Sequence, residues 1–170
     1  MILYHKTHQH LLVEDPAEHY HNRKIPISVI RTPWVREIMR RLEYLCISEI
    51  GKQGFQTFPE QTEIMRYSIG DSVPTHIDVY DDFEGNVIHP NSAWAGVLYL
   101  NQNYSGGKLR FEPCEELPMG MEYTPCAREL VLFQGMEFLH SVTKVYRTER
   151  YSIPMWFTTE YKDIRPEFPL

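Results

Sequence analysis

The chain has 170 residues, of which 42% are hydrophobic, and 23 acidic against 17 basic residues give it a formal net charge of −6. This length suits one domain with a proper core and is too short for two ordinary ones, so we predict a single domain over residues 1–170. The acidic balance disfavours nucleic-acid partners, because binding to phosphate backbones draws on clustered Lys and Arg. No apolar run approaches the roughly 20 residues that span a bilayer, so no membrane partner is expected.

The cysteines and the first residues favour a reducing compartment. Cys46, Cys114 and Cys126 are odd in number and far apart, which argues against a disulfide framework. The N-terminus lacks the basic segment and long apolar run of a signal peptide. The predicted location is therefore the cytoplasm.

The first 31 residues carry little regular pattern, with a short strand predicted near Ile2 to His5 and irregular chain after it. Five histidines fall in this segment: His5, His8, His10, His19 and His21. Their composition favours an exposed polar segment over a second metal site.

One helix is well signalled. Thr32 is a suitable N-cap and Pro33 suits the first helical position. The apolar positions that recur at helical spacing are Val35, Ile38, Met39, Leu42 and Leu45. Gly51 and Gly54 end the pattern, and the apolar stripe is expected to pack against a sheet.

From Thr62 onward, short β-rich segments alternate with turn residues, which predicts a sandwich or barrel. The predicted strands are Glu63–Ser68, Val73–Val79, Ala93–Leu100, Lys108–Glu112, Glu129–Phe133, His140–Tyr146 and Tyr151–Thr158.

Candidate metal ligands lie on these predicted strands. His76 and Asp78 are two residues apart, so on a strand they point to the same face. His140, on a later strand, would complete a set of two histidines and one carboxylate, which holds ferrous iron with positions open for other ligands. Arg150, ten residues further on, offers a planar cation that can grip a carboxylate with two hydrogen bonds. Together these residues indicate iron, a dicarboxylate cosubstrate and oxygen chemistry.

The residues around these positions resemble the prolyl-hydroxylase-like Fe(II)/2-oxoglutarate dioxygenases over about residues 62–158. The resemblance is carried by Met65-Arg66-Tyr67-Ser68-Ile69-Gly70, His76-x-Asp78, Gly96-Val97-Leu98-Tyr99-Leu100-Asn101, Gly106-Gly107-Lys108-Leu109-Arg110-Phe111, Leu130-Val131-Leu132-Phe133, His140-x-Val142 and Arg150-Tyr151-Ser152-Ile153-Pro154-Met155-Trp156-Phe157. It implies a mainly β fold, a double-stranded β-helix or jelly roll, with a buttressing N-terminal helix.

The resemblance also implies cofactors and residue roles. Iron would be Fe(II), held by His76, Asp78 and His140, and the cosubstrates would be 2-oxoglutarate and O2. Arg150 would bind the distal carboxylate of 2-oxoglutarate. The residues expected to assist in cosubstrate binding are Tyr99, Tyr67 and Ser152.

The implied activity is hydroxylation of an amino-acid side chain, coupled to decarboxylation of 2-oxoglutarate to succinate. A prolyl residue in a peptide or protein is the favoured substrate, and a free amino acid or small metabolite is the alternative. Substrate choice is expected in loops 81–91 and 115–121, whose acidic residues favour a basic or amine-bearing substrate.

Other functions use some of the same residues. A nucleic-acid demethylase of the AlkB type would carry a second arginine at position 156, where this chain has Trp156. A halogenase would lack the carboxylate that Asp78 supplies. A non-catalytic jelly-roll domain with a structural metal stays open as an alternative, and its site would be closed by a fourth protein ligand.

Overall fold

The computed structural model describes residues 1–11, 13–14, 23–78, 80–81, 87–88 and 92–166, with side chains for 1–11, 24–78 and 92–166. The predicted substrate loop 81–91 therefore falls largely outside the described residues, as do His19 and His21. The described residues form two α-helices, α1 (Ile2–Thr7) and α2 (Pro33–Gly51), and three short 3-10 helices, Gln9–Leu11, Ile27–Val29 and Tyr161–Asp163.

The strands are β1 (Val13–Glu14), β2 (Arg23–Pro26), β3 (Phe58–Tyr67), β4 (Val73–His76), β5 (Tyr80–Asp81), β6 (Val87–Ile88), β7 (Trp94–Tyr99), β8 (Ser105–Gly106), β9 (Leu109–Phe111), β10 (Met121–Tyr123), β11 (Leu130–Phe133), β12 (His140–Val142), β13 (Val145–Tyr146) and β14 (Arg150–Thr158). A six-stranded sheet has the order β1-β2-β3-β14-β7-β11, and a four-stranded sheet has the order β10-β9-β12-β4. Among the described residues, two short pairs are also formed, β13-β8 and β5-β6. Neighbouring strands in the two larger sheets run antiparallel.

Helix α2 covers one face of the six-stranded sheet. Its buried side chains Val35, Met39, Cys46 and Ile50 share a core cluster with sheet residues that include Ile25, Ile64, Ile153, Met155 and Phe157. Burying an apolar side chain of this size contributes about 1.5–3 kcal/mol, so the cluster fixes the helix on the sheet. The opposite face of the same sheet is left to face the smaller sheet.

The predicted helix is confirmed in its bounds, with Thr32 at the N-cap and Pro33 in the first turn. Its predicted apolar stripe is partly wrong, because Ile38 and Leu45 are 40% and 48% exposed. Glu43 and Cys46 occupy the buried face in their place. The carboxylate of Glu43 is accommodated there because Arg165 donates two hydrogen bonds to it, of 2.7 and 2.9 Å.

The strand predicted near Ile2 to His5 is wrong, since these residues lie in helix α1. A short apolar run cannot be assigned to helix or strand by its pattern alone. His5 is also fully buried and stacks edge-on against Tyr151, with ring centroids 5.5 Å apart, so the prediction of an exposed segment fails at this histidine. Among the described residues of the segment, His10 is exposed.

Most of the predicted strands are present, with three differences that matter for the site. The strand predicted as Val73–Val79 ends at His76, so Asp78 lies beyond it in a bend, and its predicted place on the strand is wrong. Strand β3 begins at Phe58, five residues before its predicted start, and the added residues include Gln61. The predicted strand His140–Tyr146 is divided into β12 and β13, because the chain leaves its neighbours β9 and β4 after Val142 and pairs with β8 instead. Within the described residues, no helix combines the length and apolar character needed to cross a bilayer.

Candidate active site

The three predicted metal ligands lie together at the place where β4 ends and β12 begins. His76 ends β4 and His140 begins β12, and the two residues are directly paired across the strands. Their Nε2 atoms lie 3.8 and 3.6 Å from Oδ1 of Asp78. One ligand atom from each of the three residues lies within 4.8 Å of the others, which is compact enough for a single metal ion.

Backbone carbonyls orient both histidine rings. Nδ1 of His76 lies 2.9 Å from the carbonyl oxygen of Pro74, and Nδ1 of His140 lies 2.8 Å from that of Phe138. A ring that donates its Nδ1 hydrogen to a carbonyl presents the lone pair of Nε2, which is the arrangement seen in metal-binding histidines. Burial, and then the neighbouring His140, lowers the pKa of His76, so this ring is neutral near pH 7 and able to bind a metal.

Asp78 is held by the loop that follows β11. Its backbone N–H donates a 2.9 Å hydrogen bond to the carbonyl of Gly135. A Cβ at position 135 would lie only 2.0 Å from Oδ2 of Asp78, so the carboxylate occupies space that only glycine leaves open. Among the described residues, this buried Oδ2 has no hydrogen-bond partner. A buried carboxylate oxygen without a hydrogen-bond partner, beside two imidazole rings, is chemically suited to a divalent cation.

Arg150 lies at the start of β14 and is 1% exposed. Its guanidinium carbon lies 4.5 Å from the ring centre of Tyr67 and 5.0 Å from that of Tyr99. Nη1 is 3.4 Å from Oγ of Ser152, two residues along the same strand. Burial alone would lower the pKa of Arg150, but the surrounding tyrosine side chains raise it overall, so the cation persists inside the protein.

Three buried polar groups at this position have no hydrogen-bond partner within the described part of the chain: Nε of Arg150 and the hydroxyls of Tyr99 and Tyr104. Burial raises the pKa of both tyrosines, which keeps the hydroxyls protonated and able to donate. Buried donors are normally satisfied, so a cluster of them around a buried cation indicates a place for an anion. Tyr104 was not among the predicted residues, because it lies in the loop after β7 and has no strand pattern to mark it.

One cavity of about 90 Å³ joins the two groups. All seven predicted site residues line it, since the residues on the inner faces of β3, β7 and β14 face those of β4, β9 and β12 across the same space. Its other walls are largely apolar, including Val97, Leu109 and Phe133. Trp156 also lies in the wall of this cavity.

A charged pair in the same wall was missed by the sequence analysis. Lys24 on β2 and Glu63 on β3 both line the cavity, with Nζ of Lys24 3.5 Å from Oε1 of Glu63. Gln61 lines it as well and donates a hydrogen bond to Glu63. Period-two alternation in the predicted strand Glu63–Ser68 already places Glu63, Met65 and Tyr67 on one face, and only Gln61 required the earlier start of β3.

With this geometry in view, comparison with known proteins assigns the chain to a family. A family model for the 2OG-Fe(II) oxygenase superfamily matches residues 62–158, more than half of the chain. The chain belongs to the 2OG-Fe(II) oxygenase superfamily. Its members are dioxygenases that use Fe(II), 2-oxoglutarate and O2, so the enzyme class and the cofactors predicted from the sequence are confirmed.

Similar proteins within this superfamily include prolyl hydroxylases. Human prolyl 3-hydroxylase 1 is 32% identical over 68 residues, which are 39% of this chain and only 9% of that protein. A prolyl-4-hydroxylase from Pseudomonas putida aligns with a TM-score of 0.67 at 21% identity, covering 92% of this chain and 82% of that one. A prolyl hydroxylase from Trichoplax adhaerens, solved with a hypoxia inducible factor peptide fragment, aligns with a TM-score of 0.69 at 16% identity, covering 99% and 78%.

These structural likenesses show the fold of this oxygenase. The two facing antiparallel sheets with a helix on the outer face of the larger one match the jelly roll of the solved structures. The predicted fold class is therefore confirmed, together with the prolyl-hydroxylase-like resemblance. Assignment of individual residues to iron and to 2-oxoglutarate stays a prediction that the geometry supports.

Proposed function

We propose that this oxygenase hydroxylates the side chain of an amino acid, coupled to the oxidative decarboxylation of 2-oxoglutarate to succinate. The observation that carries the proposal is the single cavity with two different ends. One end has two imidazoles and a carboxylate whose ligand atoms lie within 4.8 Å of one another, and the other has a buried arginine surrounded by tyrosines.

In this proposal His76, Asp78 and His140 hold Fe(II). The donor set fits, because both histidines present Nε2 and Asp78 has an oxygen without a hydrogen-bond partner among the described residues. When bound, the iron supplies the activation of O2 that drives decarboxylation of the cosubstrate and oxidation of the substrate. These three are the only Cys, His, Asp or Glu residues that the described chain brings to this group, so positions remain for cosubstrate and oxygen.

Arg150 binds the distal carboxylate of 2-oxoglutarate in the same proposal. Its planar guanidinium can donate two parallel hydrogen bonds, and the hydroxyls of Tyr99 and Tyr104 add further donors. Tyr67 contributes its ring, which lies 4.5 Å from the guanidinium carbon and holds the arginine in place. Ser152 accepts from Nη1 and fixes the orientation of the fork.

The apolar wall between the two ends keeps bulk water from the reacting atoms. Val97, Leu109 and Phe133 line it, and Phe133 also packs edge-on against the ring of His140 at 4.8 Å between centroids. Exclusion of water strengthens the charge interactions inside the site and directs the oxidation to the bound substrate.

Two classes of substrate are supported, each by a different observation. A prolyl residue in a peptide or protein is supported by the names of the similar proteins, human prolyl 3-hydroxylase 1 among them. A free amino acid is supported by a different observation, the Lys24–Glu63 pair in the cavity wall. Cytoplasmic location remains a prediction from the cysteines and the first residues, and the lack of a nucleic-acid partner remains a prediction from the net charge.

The test of the cofactor site needs no substrate. Fe(II) and then 2-oxoglutarate are added to metal-free protein under anaerobic conditions, and the visible metal-to-ligand charge-transfer band is followed. We expect a band in the wild type, none in His76→Ala, and in Arg150→Ala an apparent 2-oxoglutarate Kd raised about tenfold to a hundredfold, as expected for loss of hydrogen bonds to a charged group. His10→Ala and Arg41→Ala, which remove exposed residues of the same types, should leave the band unchanged.

Folded protein that binds iron but gives no band would contradict the proposal. That result would favour the non-catalytic jelly-roll alternative, in which the metal has a structural role.

A further inference from the structure

The Lys24–Glu63 pair lies in the catalytic cavity yet has no part in holding iron or 2-oxoglutarate. Glu63 is fully buried and the side chain of Lys24 is 15% exposed. A buried ion pair costs desolvation and is weak evidence for a purely stabilising role. Its position in the wall of the active site points to a role in binding.

The sheet register places the pair away from the arginine end. Arg150 is paired with Tyr67 and Ser152 with Met65, while Met155 is paired with Thr62. By the same register, Glu63 lies opposite Pro154, four residues from the level of Arg150. At about 3.3 Å per residue, this is about 13 Å along the strand. Lys24 on β2 is paired with Met65 on β3, and its ammonium group lies 3.5 Å from Glu63, two residues before Met65.

The metal end of the cavity lies in the same direction along the sheet. Asp78 contacts Gly135, which follows the end of β11, and the last residue of that strand, Phe133, is paired with Ala95. Ala95 is in turn paired with Trp156, six residues from Arg150. Glu63 therefore lies between the level of the arginine and the level of the metal ligands. That is the part of the cavity in which a substrate must present its carbon to the iron.

The chemistry of the pair selects one kind of group. Nζ of Lys24 and Oε1 of Glu63 are 3.5 Å apart, longer than the 2.7–2.9 Å of a tight charged hydrogen bond. Oε1 of Glu63 also accepts a short hydrogen bond from Gln61, but its buried Oε2 has no hydrogen-bond partner among the described residues and can accept from a ligand. The long spacing to Nζ of Lys24 leaves room for an anionic group beside the ammonium. A free α-amino acid carries both a positive and a negative group, since its ammonium can donate to Glu63 and its carboxylate can accept from Lys24. Gln61, which donates to Glu63, holds the carboxylate in position.

We propose that Glu63 and Lys24 are specificity-determining residues that bind the ammonium and carboxylate groups of a free amino-acid substrate. This inference rests on the proposed function, because it takes the iron and 2-oxoglutarate positions as given. A peptidyl proline offers neither charge at these positions and would bury the pair against neutral amide groups, at a cost in desolvation.

The test measures binding rather than turnover. The charge-transfer band of the anaerobic Fe(II)–2-oxoglutarate complex is recorded while the common L-amino acids are added, each as the free form and as its N-acetyl amide. We expect at least one free amino acid to shift the band, and its doubly capped form to bind at least tenfold more weakly. In Glu63→Gln and in Lys24→Met, the apparent Kd of that amino acid should rise about tenfold to a hundredfold, the range expected for hydrogen bonds to charged groups.

Matched controls come from an exposed pair. Lys108 and Glu122 form an ion pair of 2.5 Å at the surface, so Lys108→Met and Glu122→Gln repeat the same changes outside the cavity and should leave the Kd unchanged. Persistence of the band in Glu63→Gln and Lys24→Met shows that the cofactor site and fold are intact. If one of these two variants loses the band, the apparent Kd of the amino acid is measured in the other variant.

Three results would overturn the inference: capped forms that bind as well as free ones, variants that bind the free amino acid as tightly as the wild type, or no shift with any free amino acid. A proline-containing peptide that shifts the band when free amino acids do not would assign the site to peptidyl proline. If the wild-type protein forms no charge-transfer band, that result would instead contradict the proposed function itself.

Discussion

At the scale of single residues, Gly135 controls the position of the candidate metal carboxylate. A Cβ at this position would lie 2.0 Å from Oδ2 and 2.8 Å from Cγ of Asp78, so an alanine must displace Asp78 or the loop. We expect Gly135→Ala to weaken Fe(II) binding by about tenfold to a hundredfold, as other changes beside metal ligands do. Anaerobic Fe(II) titration measures this directly.

The control for this substitution is Gly51→Ala. A Cβ at position 51, at the end of α2, meets nothing within 4 Å, so this change should leave iron affinity unaltered. Equal iron affinity in Gly135→Ala and the wild type would show that Asp78 does not hold the metal in the geometry described.

Strand geometry relates some of the residues that the sequence predicted at the site. Arg150 and Ser152 are two residues apart on β14, and both line the cavity. Asp78 also lines the cavity beside His76, although it lies beyond the end of β4 and not on a strand as predicted. Tyr67 and Tyr99 were predicted from the family resemblance. Gly135 and Tyr104 could not be predicted in the same way, because loops bring them to the site. The contact between Gly135 and Asp78 spans 57 positions, and no local pattern encodes it.

At the scale of secondary structure elements, a buried polar network joins α2, β3 and the segment after β14. Arg165 donates hydrogen bonds of 2.7 and 2.9 Å to the two oxygens of Glu43, and the hydroxyl of Thr62 donates to Oε1. Glu43 and Thr62 are fully buried and Arg165 is 7% exposed. The network therefore fixes the helix on the sheet and draws the C-terminal segment against both.

Removing the carboxylate from this network should be costly. We expect Glu43→Ala to lower the free energy of unfolding by about 3–5 kcal/mol, because it leaves the guanidinium of Arg165 buried without its counter-charge. Urea denaturation of Glu43→Ala and of the wild type measures the change in the free energy of unfolding. Glu37→Ala, which breaks an exposed pair with Arg41 on the same helix, should cost no more than about 0.5 kcal/mol.

A loss in Glu43→Ala no larger than that in Glu37→Ala would show that the network adds nothing to stability. The network also explains why the helix was predicted in the right place but its buried face only in part, with Val35 and Met39 inside as predicted and Glu43 not expected there. Helical periodicity counts apolar residues, and Glu43 could be placed inside only with knowledge of Arg165, 122 positions away.

At the scale of the whole molecule, the helix and the active site lie on opposite faces of the same strands. Sγ of Cys46 on α2 lies 4.0 Å from Sδ of Met155, whose neighbours on β14 line the cavity. Cys46 is fully buried, and burial raises the pKa of its thiol to about 12 from an ordinary value of 9.0. In the native state it is therefore shielded and protonated near neutral pH, so a thiol reagent reaches it only when the helix separates from the sheet.

The raised pKa also gives the direction of a pH effect. The folded state binds the thiol proton more tightly than the unfolded state does, so its contribution to stability is fully present below pH 9 and is lost as the pH rises toward 12. Labelling experiments on Cys46 are accordingly read near neutral pH, where this contribution is constant.

Ligand binding at the cavity should be visible at Cys46. Mn(II), used here in place of Fe(II), and 2-oxoglutarate bind only the folded state. If the jelly roll opens as one cooperative unit, a ligand at a hundred times its Kd stabilises the folded state by about 2.7 kcal/mol. We expect the labelling rate of Cys46 to fall about a hundredfold under these conditions, while exposed Cys126 reacts at an unchanged rate. In Arg150→Met, the part of this protection that depends on 2-oxoglutarate should be lost. An unchanged rate at Cys46 in saturated wild-type protein would mean that α2 leaves the sheet without disturbing the site, and that the helix and the catalytic cavity are separate folding units.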